Sequence, residues 1–294
     1  MSTLPSNGKR YVLVTAAYNE ERHIGRLIES IIAQTVRPLL WVIVSDGSTD
    51  RTDEIVHRYA VDLGFIELHR IDEDHPRNFA AQVHAINRGL AILKRLDYQF
   101  IGNVDADISF DPGYFSDLLK VFAAEQRLGL AGGSICEMQE GEFRLRPLNR
   151  ESSVAHAVQL FRRECFESLG GAYIPLPYGG PDWYAVVKSR MNGWRVRSIP
   201  ELNAFHHRPP TSTSGWVRAS FRQGRMDYSL GTHPLFEMLR LMRRVQSGPI
   251  LLRASARLAG FIFSYLTAER RMVSREFIRF LRKEELRRLR QFFK

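Results

Sequence analysis

Apolar residues follow two rhythms along the first half of this chain, and the rhythms alternate. Residues 11–16, 40–45, 65–70, 99–104 and 128–135 are short, largely apolar runs with the length of strands buried on both faces. Between them the spacing widens to three and four residues, as at Ile24, Leu27, Ile28, Ile31 and Ile32 within 22–34. The stretches 80–96 and 114–125 also fit helices between the strands. Strand alternating with helix from 10 to 135 predicts an α/β fold with a doubly wound, mostly parallel sheet.

Beyond 135 the pattern loosens. Residues 132–149 fit a hairpin or a strand with a loop. Residues 154–169 read as a helix ended by Gly170-Gly171, and 176–182, rich in Pro and Gly, as a loop. A helix over 183–191 stops at Asn192-Gly193, and short strands follow at 194–199 and 202–207. From Thr211 on, the spacing is helical throughout, with breaks at 231–234 and at Gly248-Pro249. The expected organisation is an α/β domain over 1–235, with halves at 10–135 and 136–235, and a C-terminal α-helical extension over 236–294.

Charge changes this picture at one end. The chain of 294 residues carries a net charge of +10, yet residues 240–294 hold 15 Lys/Arg against 4 Asp/Glu. The first 239 residues hold 27 basic and 28 acidic residues and are nearly neutral. The basic tail therefore points to an anionic partner surface. Its aromatic and aliphatic residues interleave with Arg at helical spacing, which suits a helix lying on an anionic membrane. A helical hairpin packed on the core, or a homodimer interface, would use the same pattern. No nucleic-acid module is recognisable, so nucleic acid is not an expected partner. Cys136 and Cys165 lie far apart without metal-ligand spacing and read as buried thiols of a reducing compartment. Residues 1–9 lack the apolar segment of a signal peptide, and the apolar stretch 258–268 is too short to span a bilayer. The expected location is cytoplasmic, with the tail at the inner face of the membrane if it binds lipid.

The candidate chemistry gathers where predicted strands end. Asp105-Ala106-Asp107 follows the run 98–104 directly. A carboxylate pair there presents hard oxygens at the sheet's carboxyl edge, where open α/β sheets bind ligands. Such oxygens suit Mg²⁺ or Mn²⁺ with positions left open for phosphate. Ala17-Tyr18-Asn19-Glu20 follows the first run, and Asp46-Gly47-Ser48-Thr49-Asp50 the second. The latter also reads as a tight turn with a helix N-cap.

These motifs, together with Gly180-Pro181-Asp182-Trp183 and His206-His207 in that order, resemble the family 2 glycosyltransferases over roughly residues 10–235. The resemblance implies the GT-A fold and an inverting, metal-dependent transfer from a nucleotide-sugar, UDP-sugar favoured, to a glycan or lipid-linked acceptor. The half 10–135 would then bind the nucleotide-sugar and the half 136–235 face the acceptor. By motif position, Ala17 would belong to the nucleotide-sugar site, with Tyr18 against the base, Glu20 on the ribose and Asp46 on a base N–H. Asp107 would be the direct Mn²⁺ or Mg²⁺ ligand, and Asp105 would act through water or ribose contacts. His206 or His207 would complete the metal site; neighbours on a strand face opposite ways, so at most one can, and His206 is favoured. Asp182 would be the general base, although Pro181 departs from the usual Glu-Asp or Trp-Asp. Trp183 would pack on a sugar face or on the sheet. Arg77 stands where relatives carry a basic stretch near the diphosphate. Arg222-Gln223-Gly224-Arg225 is similar to the Gln/Arg-rich motif of membrane polysaccharide synthases without the full Q-x-x-R-W, and Arg225 would be a second diphosphate cation. Two other functions compete: a sugar nucleotidyltransferase, which would want a basic Gly-rich loop where Ala17-Tyr18-Asn19-Glu20 is acidic, and a non-catalytic anionic-surface or nucleic-acid binder acting through the tail.

Overall fold

The computed structural model describes residues 10–73, 79–146, 151–208, 215–244 and 249–292. The chain forms two compact units. One comprises Met1–Ile174 with Pro181–Pro209, and the other Pro175–Gly180 with Pro210–Lys294. The division falls before the boundary of 235 expected from the sequence pattern, since the first helix after it packs along a helix of the basic tail.

Among the described residues the first unit holds nine strands and six helices. The strands are β1 (Tyr11–Ala17), β2 (Trp41–Asp46), β3 (Ile66–Ile71), β4 (Phe100–Val104), β5 (Ile108–Phe110), β6 (Leu128–Gln139), β7 (Glu142–Leu145), β8 (Val158–Arg162) and β9 (Arg195–His206). The helices are α1 (Ile24–Ile32), α2 (Thr52–Asp62), α3 (Phe79–Leu93), α4 (Tyr114–Ala124), α5 (Arg163–Ser168) and α6 (Pro181–Met191). The strands lie in the order β3-β2-β1-β4-β8-β6-β9-β5, and β7 hairpins onto the end of β6. Strands β1 to β4, β6 and β9 run one way, and β5, β7 and β8 run against them.

The parallel half follows the sequence pattern closely. Tyr11 to Val14 of β1 and Trp41 to Val44 of β2 are fully buried, as continuous apolar runs require when helices cover both sheet faces. Helix α1 sends Ile24, Leu27, Ile28 and Ile31 inward. Two polar groups in this core satisfy each other: Trp41 donates its indole N–H to Thr15 Oγ1 at 3.0 Å, and Thr15 donates to the Val104 carbonyl at 2.8 Å.

The other half departs from it. Residues 154–169 are not one helix; β8 occupies Val158–Arg162 and only Arg163–Ser168 is helical. Tertiary pairing overrides the local pattern, because β8 slots antiparallel between β4 and β6. Its Gln159 side chain is buried, accepting from the Tyr173 hydroxyl at 2.8 Å and donating to the Val154 carbonyl. The strands expected at 194–199 and 202–207 are one strand, β9, interrupted by a register shift opposite Gly133/Ser134. Strand β5, three residues long, carries too few residues for a pattern to show.

The second unit is helical: α7 (Trp216–Leu230), α8 (Pro234–Arg244), α9 (Pro249–Leu266) and α10 (Arg275–Phe292). Helices α7 and α9 cross at backbone contact. A Cβ on Gly224 would lie 1.8 Å from the Arg257 carbonyl oxygen, and one on Gly260 would lie 1.9 Å from that of Phe221. Arg257 is buried in the same packing and pairs with Asp227 at 2.6 Å and Glu237 at 3.0 Å. Both carboxylates lie outside α9, so the pairs tie α7 and α8 to it. Gly260→Val is expected to force α7 and α9 apart and to destabilise this unit by about 3 kcal/mol. A melting curve identical to wild type would refute backbone contact at this crossing.

Candidate active site

Because β1, β2 and β4 are neighbours and parallel, the loops after them open on the same sheet edge. The first two loops are stitched together. Asn19 adopts a left-handed conformation at φ 53°, and its Oδ1 accepts the Thr49 N–H at 2.8 Å. Glu20 N–H donates to Thr52 Oγ1 at 2.7 Å, and Glu21 N–H to Asp50 Oδ2 at 3.0 Å. Asp50 also accepts the Thr52 N–H at 2.9 Å, at the start of α2. The Gly47-to-Asp50 turn thus serves structure and holds Glu20 and Asp46 in place together.

The result is a cleft of about 510 Å³ at this edge. Ala17, Tyr18, Glu20, Asp46, Asp105 and Asp107 all line it, so six residues singled out from three separate motifs meet in one place. Tyr18 is exposed and Asp46 buried. Ala81 and Gln82, from the first turns of α3, and Arg208 also line the cleft. Sequence reasoning did not select these three.

Arg208 matters most among them. Its Nε donates to Asp107 Oδ2 at 2.7 Å, and its Nη2 donates to Glu20 Oε1, so one guanidinium bridges the acidic pair after β4 and the motif after β1. His206 Nε2 lies 3.4 Å from the same Asp107 oxygen. The pairing of Ile108 on β5 with His206 on β9 brings the two together. His207 turns the other way, with Nε2 2.7 Å from Ser109 Oγ and its ring edge-on to Phe143, as strand alternation requires. Asp105 faces different partners. It accepts from Asn103 Nδ2 at 3.3 Å and lies 3.4 Å from His156 Nδ1.

These environments displace several protonation equilibria. Burial pushes Asp107 upward, but His206 and Arg208 outweigh it and hold the carboxyl at about 2. Glu20 goes the other way: burial dominates the opposing Arg208 guanidinium, with Asp107 adding repulsion, and its pKa rises to about 7. His206 is raised by its bond to Asp107, whereas burial and nearby cations lower His207 to about 4. Burial would lower His156, but the bond to Asp105, its charge and that of Asp182 prevail and raise it.

The other expected residues lie away from the cleft wall. Asp182 sits in the first turn of α6, and its carbonyl accepts from Gln159 at 3.4 Å. Trp183 packs against the core of the sheet, with the Arg190 guanidinium 5.5 Å from its ring centre. Arg225 belongs to the helical unit, where its guanidinium pairs with Glu269 and stacks 4.2 Å over the Tyr178 ring. Arg77 lies outside the described residues.

Among the described residues no three or more His, Cys, Asp and Glu side chains form a ready metal cage. The donor set nonetheless fits a divalent cation shared with phosphate: Asp107 and His206 offer oxygen and nitrogen on one side, and Glu20 Oε2 is buried without a hydrogen-bond partner. Arg208 already places positive charge among these carboxylates.

A sheet of this topology with acidic strand ends around a cleft is a glycosyltransferase of the GT-A type. The profile described as glycosyl transferase family 2 matches residues 12–172, more than half of the chain, and the chain belongs to that family. The 4,4'-diaponeurosporenoate glycosyltransferase of Staphylococcus aureus (strain COL) is 32% identical over 110 residues, covering 37% of this chain and 26% of the relative. The match thus spans only about a quarter of that protein. Solved structures share the fold at low identity. S. aureus TarS 1-349 has a TM-score of 0.55 at 14% identity, covering 88% of this chain and 72% of that one. The mannosyltransferase PcManGT of Pyrobaculum calidifontis, with GDP-Man and Mn²⁺, gives 0.57 at 18%, covering 88% and 74%. GalNAc-T7 with UDP, GalNAc and Mn²⁺ gives 0.61 at 15%, covering 90% and 57%.

The raised Glu20 pKa has a direct consequence for the ligand-free protein. Glu20 binds a proton more tightly folded than unfolded, so its stabilising contribution is complete below its ordinary value of 4.5 and is lost as pH rises through about 7. Glu20→Gln removes that group. The denaturant midpoint of wild type should therefore fall more steeply than that of the variant across this interval. Parallel pH profiles would remove Glu20 as the source.

Proposed function

We propose that this chain is an inverting glycosyltransferase that moves a sugar from a nucleoside diphosphate, UDP favoured, to a hydroxyl of a glycan or lipid-linked acceptor. The observation that carries this reading is the convergence of Tyr18, Glu20, Asp46, Asp105 and Asp107 on one cleft at the carboxyl ends of β1, β2 and β4. The bound ligands of structures sharing the fold support it: UDP-GlcNAc in TarS, and GDP-Man with Mn²⁺ in PcManGT.

In this reading the base stacks on exposed Tyr18 and donates an N–H to Asp46. Glu20 receives the ribose hydroxyls. Asp107 and His206 would hold Mn²⁺ or Mg²⁺, which when bound neutralises charge growing on the departing diphosphate. The acceptor oxygen bonds to the sugar C1 as the bond from C1 to the phosphate oxygen breaks, on the opposite face. Asp182 takes the hydroxyl proton. His156, paired with Asp105 and within the field of Asp182, would hold the donor-side and acceptor-side carboxylates in one polar network. In the donor-free state Arg208 supplies the positive charge that Asp107 and Glu20 require. A cation therefore enters against that guanidinium unless a diphosphate arrives to receive it.

The direct test is a panel of nucleotide-sugars screened for divalent-metal-dependent release of nucleoside diphosphate. If none is consumed, or if release is undiminished in EDTA, the reading fails. Asp107→Ala is expected to abolish release and weaken Mn²⁺ binding. Asp182→Asn should retain donor affinity by calorimetry while turnover falls by about 10²–10⁴-fold; normal turnover removes Asp182 from the mechanism. Arg208→Gln is expected to tighten Mn²⁺ binding to the donor-free protein by about tenfold, one charge-assisted contact. Unchanged or weaker binding in a titration contradicts the competition.

A further inference from the structure

Helix α10 carries a second built surface, far from neutral and unrelated to the strand-end carboxylates. Arg279, Lys283, Arg287 and Arg290 recur at intervals of four, four and three residues and are all exposed. At 1.5 Å per residue they span about 16 Å along one face. The opposite face buries Phe277, Ile278, Leu281 and Glu285. The stripe is not a flat solvated edge. With Arg282, Leu286 and His233 it lines a groove of about 510 Å³ that contains no acidic residue.

The groove is electrostatically unbalanced. Like charges four apart on a helix repel, and none of the four exposed cations has a carboxylate partner at salt-bridge distance among the described residues. Arg282, half-buried at the groove wall, spends its Nε on the Gly231 carbonyl at 2.9 Å. Burial and the charge of Arg271 lower its pKa and outweigh the opposing charge of Glu285. His233 is lowered by burial and by Arg282. Glu285 on the same helix is buried and accepts from the His233 backbone N–H at 2.8 Å.

The same unit exposes apolar side chains beside this helix in the chain. Ile262, Phe263, Tyr265 and Leu266 at the end of α9 are exposed, Leu266 by 78%, and Met272 is exposed in the link to α10. A free nucleotide or a nucleic acid would satisfy the cations and leave these side chains in water. A lipid surface takes both, with phosphates on the basic groove and the side chains among the acyl boundary. No described helix is long and apolar enough to cross a membrane, so the arrangement suits a surface and not a span.

We infer that the α10 groove, with the exposed end of α9, is a docking site for the phosphate headgroups of an anionic lipid surface. It is separate from the transfer reaction and stands whether or not the donor assignment holds.

The test uses the full chain in flotation assays with phosphatidylcholine vesicles and with vesicles containing phosphatidylglycerol. Binding is expected only to the anionic vesicles and should weaken with added salt. Replacing Arg279, Lys283 and Arg287 together by Gln should weaken it by about a hundredfold, since each basic residue near such a surface contributes about fivefold. These exposed positions leave the buried face of α10 intact, and circular dichroism checks the fold. Arg58→Gln with Lys94→Gln and Arg95→Gln, an equal charge change at exposed positions of the sheet unit, should have little effect. Ile262→Ser with Leu266→Ser should weaken the binding that survives high salt. Equal binding to both vesicle types, or binding indifferent to the triple substitution, overturns the inference. So does calorimetric binding of inorganic phosphate in the groove without vesicle binding, which makes it a small-anion site. A salt-sensitive gel shift with nucleic acid and no vesicle binding overturns it equally.

Discussion

Negative charge crowded at the end of a parallel sheet has to be balanced, and the first unit is built around that constraint. Adjacent parallel strands β1, β2 and β4 deliver Glu20, Asp46, Asp105 and Asp107 to one cleft. Carboxylates that share a partly buried site raise one another's pKa unless cations or donors intervene. Glu20 shows the pressure: burial first, and then the charges of Asp107 and Asp105, lift its pKa to about 7 despite its bond to Arg208. Asp107 shows the remedy, held at about 2 by His206 and Arg208. Both remedies come from the end of β9, a strand that lies far along the sheet from β1 yet returns through β5 to the cleft. The curl of the sheet is therefore part of the electrostatics as well as of the topology.

The residues legible in the sequence were those whose chemistry sits at the end of a strong local pattern. Buried runs in β1, β2 and β4 are continuous and apolar, so the acidic residues after them stand out. Arg208 was hidden for the opposite reason. Its partners Glu20 and Asp107 lie 188 and 101 residues away, and locally it is one Arg before two prolines. His156 was hidden by the misread segment 154–169. A strand that inserts antiparallel between two others buries a polar residue such as Gln159 with no local signal that partners await it. A lone His beside apolar residues in that segment then looks like ordinary helix filling.

Charge in the helical unit is sorted by burial. Arg257 is enclosed and meets two carboxylates, as an enclosed cation must. Arg279, Lys283, Arg287 and Arg290 on α10 are exposed and have no carboxylate partner among the described residues, which water permits at small cost. Along the chain both are undifferentiated Arg at helical spacing; only the packing of the helices, with α7 on α9 fixed by Gly224 and Gly260, separates them. A tail that looked uniformly basic is thus an internal ion network together with an outward stripe.

The same sorting divides the two aspartates of Asp105-Ala106-Asp107. They are two residues apart and chemically identical, but the chain bends into β5 directly after them, and their surroundings diverge. Asp107 faces a histidine and an arginine from the β9 end, and its carbonyl accepts the His207 N–H at 2.9 Å. Asp105 faces Asn103 and His156, and its N–H reaches the Ala157 carbonyl at 3.3 Å, on the β8 side. One carboxylate is tied to the end of β9, the other to the start of β8, which leads into α5. Exchanging a cation at Asp107 leaves the partners of Asp105 in place, because among the described residues no hydrogen-bond or ion-pair partner is common to both. The motif works as two separately anchored charges, and that independence lets one change its counter-charge while the other keeps the neighbouring network in register.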